Sequence, residues 1–347
     1  MKKIYKLTVL AMALLLVSVL SLGCASTAAP VNSEEVSSAT DAVSEEPSSE
    51  ATDAPEDSYT VKFAPFISYT GLGTALGIEK GFFAEDGLQI ESITVDDKVS
   101  GLISGDIDFA DLNTSQAITA ISKGAPFKIV GSMFRTKGAF YLLGANDINE
   151  ISDLKGKTVG IAMAGTGLDA YTRVILKENG LDPDKDVTLV ANGVYAQAYA
   201  SLEAGQVSAT IIHQPYVALA EKEGKGKLLA KGYEYLPTFH TGVLVASDKF
   251  IAEHPDELRK IIAAYYKSWT YAKENLDETV AFGTTYVEID ADVLRAALES
   301  ELEIWANAPK VDIDAINDTQ DIQIKLGFQT EKYDVTPFID ESFLPES

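Results

Sequence analysis

Three short stretches gather hydroxyl, amide and glycine residues where an apolar run gives way to a helical one. They are Phe66-Ile67-Ser68-Tyr69-Thr70, Asp111-Leu112-Asn113-Thr114-Ser115 and Ala164-Gly165-Thr166-Gly167. Hydroxyls and the open backbone N–H groups of a helix's first turn suit an oxyanion, because the helix dipole is positive at that end. Gly165 lets the backbone approach a ligand closely. The competing role is N-capping, for which Ser, Thr and Asn are preferred on stability grounds alone. Taken singly, Ser68, Tyr69, Asn113, Thr114, Ser115, Gly165 and Thr166 serve either purpose. Convergence of the three loops on one cleft would favour a ligand.

Covalent, metal and nucleotide chemistry are poorly supplied. The chain has one cysteine, Cys24, and three histidines, His213, His240 and His254, with no HExxH spacing and no GxSxG elbow. Gly165-Thr166-Gly167 is only part of a GxGxxG fingerprint, and the Lys-Ser/Thr of a phosphate loop is missing. No cofactor and no metal site are expected, and an enzyme is disfavoured. The cations nearest the candidate loops in sequence are Arg135 and Arg173, for each of which a surface ion pair is the simpler role. Tyr69, Tyr141, Tyr195 and Tyr216 could wall a flat ring, although tyrosine is abundant here (15 residues) and packing accounts for most of it.

The elements that must position these loops alternate between strand-like and helix-like, the pattern of an α/β fold. Strands are expected at 60–67, 89–95, 107–110, 128–133, 139–143, 158–162, 187–190, 209–212 and 239–246. Helices are expected at 74–84, 115–122, 168–179, 196–204 and 216–223. In an open α/β sheet a ligand binds at the carboxyl ends of the strands, where the three loops fall. The C-terminal third is helical. Leu258, Ile261, Ile262, Tyr265, Trp269 and Ala272 form one apolar stripe, behind Pro255 at a helix start and acidic Asp256 and Glu257 in the first turn. Tyr265 and Trp269 are expected in the core.

The first 58 residues read differently. Lys2, Lys3 and Lys6 precede an almost wholly apolar run, Leu7 to Leu22, that ends at Leu20-Ser21-Leu22-Gly23-Cys24. A basic start, a short apolar core and small residues before a cut describe a secretory signal. LSLGC resembles the bacterial lipobox, with Ser21 where Leu is usual, and implies cleavage before Cys24 and a lipid on its sulfur. Two acyl chains hold a protein firmly at about 0.8 kcal/mol per buried methylene. Residues 24–58 hold nine acidic residues and no aromatic or basic one. Such a segment buries too little apolar surface to offset its ordering entropy, so a flexible tether is expected. Residues 1–23 carry +3 and residues 24–58 carry −9, which leaves −18 of the chain's −24 on residues 59–347. Nucleic-acid binding, which needs a basic stripe, is excluded on that balance.

Five blocks resemble solute-binding proteins of ABC importers in the nitrate, sulfonate, taurine and thiamine-precursor group. They are GLGTALGIEKGFFAEDGLQIE (71–91), SGDIDFADLNTSQAITAISKGAPFKIV (104–130), ISDLKGKTVGI (151–161), GTGLDAYTRVILKENGLDPDKDVTLV (165–190) and ASLEAGQVSATIIHQPYVALA (200–220), in family order. The resemblance implies a type II periplasmic-binding-protein fold. Lobe one would span 59–142 plus 242–347 and lobe two 145–239, with hinge crossings near Leu143 to Ala145 and His240 to Val243. It also implies a monomeric, non-enzymatic receptor, lipid-anchored outside the cell, that passes a small-molecule solute to an ABC permease. A small organic anion of the sulfonate, taurine or nitrate kind is expected first and a heteroaromatic nutrient second. At Ile212-His213-Gln214-Pro215-Tyr216 many family members resemble EPY, so Gln214 stands where an acid is common and His213 becomes a candidate contact. One branch of the superfamily makes the thiamine pyrimidine with a histidine and cysteine cluster, and residues 25–347 contain no cysteine.

Overall fold

The computed structural model describes residues 59–133, 137–305 and 308–346. The leader, Cys24, the acidic tether and Arg135 lie outside the described residues. The first sheet takes β1 (Thr60–Ala64), β2 (Gln89–Ser92), β3 (Phe109–Asn113) and β4 (Phe127–Ser132), linked by α1 (Leu72–Glu79), α2 (Lys98–Ser104) and α3 (Thr114–Ser122). The chain then builds a second sheet from β5 (Tyr141–Gly144), β6 (Thr158–Gly160), β7 (Thr188–Val190), β8 (Ala209–Ile212) and β9 (Lys227–Lys231). Its helices are α4 (Gly167–Glu178), α5 (Ala196–Glu203), α6 (Tyr216–Glu223) and the short α7 (Gly232–Tyr235). β10 (Gly242–Ser247) returns to the first sheet. A helical tail follows: α8 (Asp248–Glu253), α9 (Pro255–Glu274), α10 (Leu276–Val287), α11 (Ala291–Glu301) and α12 (Ile313–Lys325).

The two sheets share one plan. Their strand orders are β2-β1-β3-β10-β4 and β7-β6-β8-β5-β9. In each, the single antiparallel strand, β10 or β5, sits between parallel neighbours and comes from a segment that crosses between lobes. This is the type II periplasmic-binding-protein fold. One expected boundary moves. Tyr141 pairs with Ile212 on one side and Lys231 on the other, so Tyr141 and Leu142 belong to lobe two. The first crossing therefore precedes Tyr141 instead of lying at Leu143 to Ala145. The physical reason is burial: all four residues of β5 are buried, and such a run needs paired strands on both edges.

Local chemistry sets several element ends. β1 stops at Ala64 because Pro65 has no N–H to donate to a ladder, so the expected strand to Ile67 is shorter. α1 ends at Glu79, ahead of Gly81 at φ 77°, where an extension to Ala84 had been expected. The glycines inside α1 answer a close approach. A Cβ at Gly73 would lie 2.4 Å from the Trp269 ring, and one at Gly77 would strike the Ser268 hydroxyl. α1 thus packs directly onto α9, and Trp269 Nε1 donates to Thr74 Oγ1 at 3.1 Å. The whole predicted stripe of α9 is buried, Tyr265 and Trp269 included. At about 1.5–3 kcal/mol for each buried large apolar side chain, this face and not intrinsic propensity holds α9 in place.

The tail does not serve one lobe alone. α12 packs on α3 of lobe one, whereas α11 packs on α6 of lobe two. Lys222 at the end of α6 pairs with Asp292 at 2.8 Å and Asp290 at 3.1 Å. Among the described residues, no helix is long and apolar enough to cross a membrane.

Candidate functional site

A cavity of about 970 Å³ opens between the lobes, at the carboxyl ends of their strands. Lobe one contributes Asn113 and one face of α3 (Ser115, Gln116, Thr119 and Lys123). Lobe two contributes Ala162 to Met163 after β6, Gly165 to Leu168 at the start of α4, and Gly193 to Val194 with Gln197 before and within α5. Phe140, Phe239 and Thr241 come from the two crossings, and Gln323 and Phe328 from the tail. Among the described residues, Lys123 is the only charged side chain on this wall.

The start of α3 is held from below. Thr114 is fully buried, and its hydroxyl meets His240 Nδ1 at 2.7 Å, while Ser132 Oγ meets His240 Nε2 at 3.0 Å. The His240 N–H donates to Thr319 Oγ1 at 2.7 Å, and the Thr114 N–H to the Thr241 carbonyl at 3.2 Å. The imidazole therefore fastens α3 and β4 to the crossing, and the His240 backbone N–H adds α12. Complete burial holds its pKa down at about 4, the nearby Asp312 charge opposing this only in part, so the ring is neutral at physiological pH. Above this knot the N-cap residue Asn113 makes no capping bond and turns its amide to Gln116 Oε1 at 3.2 Å. Beyond Thr114, the first-turn N–H groups of α3 thus gain no side-chain cap from Asn113, and the residues that carry them, Ser115 and Gln116, line the cavity. Ser115 accepts a hydrogen bond from the Gln323 amide.

The start of α4 is arranged differently. The Thr166 hydroxyl donates to the Met163 carbonyl at 2.7 Å, and the Gly165 N–H donates to Asp169 Oδ2 at 2.9 Å. Asp169 is fully buried and also accepts from Arg173 Nε at 2.7 Å. The positive end of α4 already faces a carboxylate of its own chain, so its appeal to a second anion is reduced. Arg173 completes this internal network and a 2.7 Å pair with Asp184. It is not among the residues lining the cavity. Gly165 adopts φ 78°, a conformation open to glycine.

Asn192 ties the lobe-two wall together. Its Oδ1 accepts from the Ala162 N–H at 3.2 Å, and its amide donates to Ser201 and Thr210 at 2.7 and 2.9 Å. Gly160 leaves the space that this amide fills, since a Cβ there would lie 2.3 Å from Asn192 Nδ2. Ala162 sits at φ 61° and Tyr195 at φ 51°. Non-glycine residues in this region store strain of order 1–3 kcal/mol, and such strain clusters at binding sites.

The remaining candidates lie elsewhere. Ser68 and Tyr69 do not line the cavity. Tyr69 is buried with its hydroxyl on Glu301 Oε2 at 3.2 Å, and Tyr141 reaches Glu301 Oε1 at 3.1 Å. Tyr195 meets Thr70 Oγ1 across the lobes at 2.6 Å and stacks on His213, whose ring also meets Phe140 edge-on at 4.8 Å. His213 is thus one layer behind the wall. Tyr216 tilts against Tyr199 at 5.8 Å. Gln214 is buried, with Nε2 on Ser300 Oγ at 3.0 Å and Oε1 accepting from the Ala218 N–H at 3.1 Å. Its amide braces α6 against α11. Of the nine candidate ligand residues, the structure brings Asn113, Ser115, Gly165 and Thr166 to the cavity, with Thr114 directly beneath.

A family model described as NMT1/THI5 like matches residues 70–279, which include both loops that reach the cavity. The chain belongs to that family. Among curated relatives, a protein of Bacillus subtilis (strain 168) with the provisional name aliphatic sulfonates-binding protein is 27% identical over 279 residues, 78% of this chain and 82% of that one. A Candida albicans (strain WO-1) protein named 4-amino-5-hydroxymethyl-2-methylpyrimidine phosphate synthase is 27% identical over 208 residues, 55% of this chain and 60% of its own. Among solved structures, the periplasmic aliphatic sulphonate binding protein SsuA from Escherichia coli superposes with a TM-score of 0.69. The match is 19% identical and spans 83% of this chain and 94% of that one.

This NMT1/THI5-like chain also has wall residues that sequence reasoning passed over. Among the described residues its aromatic surface is Phe140, Phe239 and Phe328, with no tyrosine, and Gln116, Gln197, Gln323 and Lys123 supply polar groups. The signal for Gln116 and Lys123 was their spacing from Thr119, three and four residues away, which puts all three on one flank of the helix. Among the described residues, no group of three or more His, Cys, Asp or Glu is placed to hold a metal ion.

Proposed function

We propose that this chain is the solute receptor of an ABC importer, capturing a small organic anion between its lobes for delivery to a permease. The observation that carries the reading is the interlobe cavity, whose apolar walls meet the side-chain-uncapped start of α3. That helix end offers backbone donors and a positive dipole to an oxyanion, and the relatives include a protein named for aliphatic sulfonates. The walls favour a solute with a carbon body. About 970 Å³ lies near the top of the range for ligand pockets, roughly 300–1,000 Å³, which far exceeds what a nitrate-sized ion needs. Three of the six most exposed large hydrophobic residues, Ile103, Met163 and Val194, line it, and apolar surface concentrated in this way marks a binding site. An alkyl or aryl sulfonate satisfies both parts. A flat heteroaromatic solute is the second reading, favoured by Phe140, Phe239 and Phe328 beside the amides of Asn113, Gln116 and Gln197.

The receptor acts outside the cell, tethered through a lipid on Cys24 by the acidic segment, as a monomer and without turnover of its solute. The anchor reading rests on the leader and on LSLGC, and a Cys24→Ser variant should leave the membrane fraction. The solute reading is tested by thermal shift against alkyl and aryl sulfonates, taurine, nitrate and pyrimidines, with native mass spectrometry of gently purified protein. A sulfonate bound at 100 times its Kd should stabilise the fold by about 2.7 kcal/mol. Ligand-stripped, folded protein that answers to none of these solutes would overturn the receptor reading.

A further inference from the structure

The lining of the cavity follows α3 from one end to the other. Asn113 and Ser115 line it at the inner, N-terminal end of the helix and Lys123 at the opposite end, and α2 adds Val99 and Ile103. At 1.5 Å per residue, Ser115 and Lys123 lie roughly 12 Å apart along the helix axis. A lysine arm reaches back toward the helix N-terminus, as helical side chains lean, which brings the two polar ends to roughly 6–10 Å. The same cavity is lined by Met163 and Val194, 59% and 39% exposed. The protein is strongly acidic, yet among the described residues the one charged side chain on this wall is a cation. As the C-cap residue of α3, Lys123 also complements that helix's negative end. That role asks only for charge near the terminus and says nothing of a place on the cavity wall.

We propose that the preferred solute is two-headed, an organic dianion with an apolar spacer, one head at the start of α3 and the other on the Lys123 ammonium. The proposal rests on the receptor reading given above. It assigns Lys123 the role of selecting length and charge, since a shorter or singly charged solute reaches the inner end alone. The carbon body then covers Ile103, Met163 and Val194, which the empty cleft leaves in water.

The test uses purified mature protein and two probes of equal length, hexanesulfonate and hexanedisulfonate with a sulfonate at each end, titrated by calorimetry. The disulfonate should bind about fivefold more tightly, the scale of one partly exposed ion pair. That advantage should shrink as salt rises, because charges near the surface are screened. In Lys123→Gln the disulfonate should lose this advantage, the ratio of the two affinities falling to about one, with folding of the variant checked by its unfolding midpoint. Equal affinities in the unaltered protein, or an advantage that survives Lys123→Gln, would overturn the two-headed solute and leave the receptor reading intact. Failure of both probes to bind would instead count against the sulfonate reading, and the proposal would fall with it.

Discussion

The seam between the lobes has two ends, and they treat the same residue types in opposite ways. At the cavity end, Asn113, Gln116 and the start of α3 face open space. At the other end, hydroxyls, amides and a carboxylate satisfy each other across the lobes. Tyr69 and Tyr141 share Glu301, Gln214 holds Ser300, and Thr70 meets Tyr195. The difference is the supply of partners. The C-terminal end of α11 enters the second region and brings Glu301 and Ser300, while at the first the tail supplies only Gln323 and Phe328. A polar loop at a strand end becomes a brace where a third element brings enough partners, and stays available to a ligand where it brings few.

Breaking the brace should have the largest effect. Glu301→Ala takes the carboxylate from two buried tyrosine hydroxyls and leaves a void. Two lost buried hydrogen bonds and the lost packing together should cost about 3–4 kcal/mol in denaturant unfolding. Solute affinity of the protein that remains folded should fall as well, because Tyr69 and Tyr141 belong to different lobes and Glu301 joins them. An unchanged unfolding midpoint would show that the tyrosines do not depend on Glu301, and the contrast between the two ends would lose its main support.

The cavity end is open above but fastened below, and pH should expose that. His240 has a folded pKa of about 4 against 6.5 in the unfolded chain. Between these values the unfolded chain binds more protons, so stability is full above pH 6.5, falls as pH drops through the window and levels off below pH 4. The whole span is worth roughly 3 kcal/mol at 1.36 kcal/mol per unit. Carboxylates titrate nearby, so the readout is the difference between the unaltered protein and His240→Gln, which cannot charge. Parallel stability curves from pH 4 to 7 would mean that His240 does not carry this linkage.

The division of roles was only partly legible in the sequence. Strand and helix order was readable because most elements carry their own signal, such as the α9 stripe or the DFA segment before Asn113. α2 and β9 were missed. α2 is short, with Leu102 its one fully buried residue, and β9 is half-buried behind the basic Lys227 and Lys231. At the site, local chemistry identified Asn113, Ser115, Gly165 and Thr166 because strand ends and helix starts lie close together along the chain. It failed for Tyr69 and Gln214. Their partners, Glu301 and Ser300, lie 232 and 86 residues away, and no loop motif announces them. The Asp169 carboxylate at the start of α4 is the instructive intermediate. It lies only four residues from Gly165, within reach of a reading that asks where each first-turn N–H is satisfied.

The smallest effect should come from the single hydrogen bond that joins the lobes through two loops. Thr70 Oγ1 and Tyr195 OH lie 2.6 Å apart, one in each lobe, and Tyr195 holds a left-handed backbone to reach that place. The contact requires the lobes to be together, so it adds to the stability of the closed arrangement and, through it, to solute affinity. A net hydrogen bond is worth about 1 kcal/mol. Thr70→Val and Tyr195→Phe should each therefore weaken binding about fivefold with little change in unfolding. The double variant should be no weaker than either single one, because both changes remove the same interaction. Additive losses would mean that the two hydroxyls act separately in solution, and the seam would then be closed by the Glu301 brace alone.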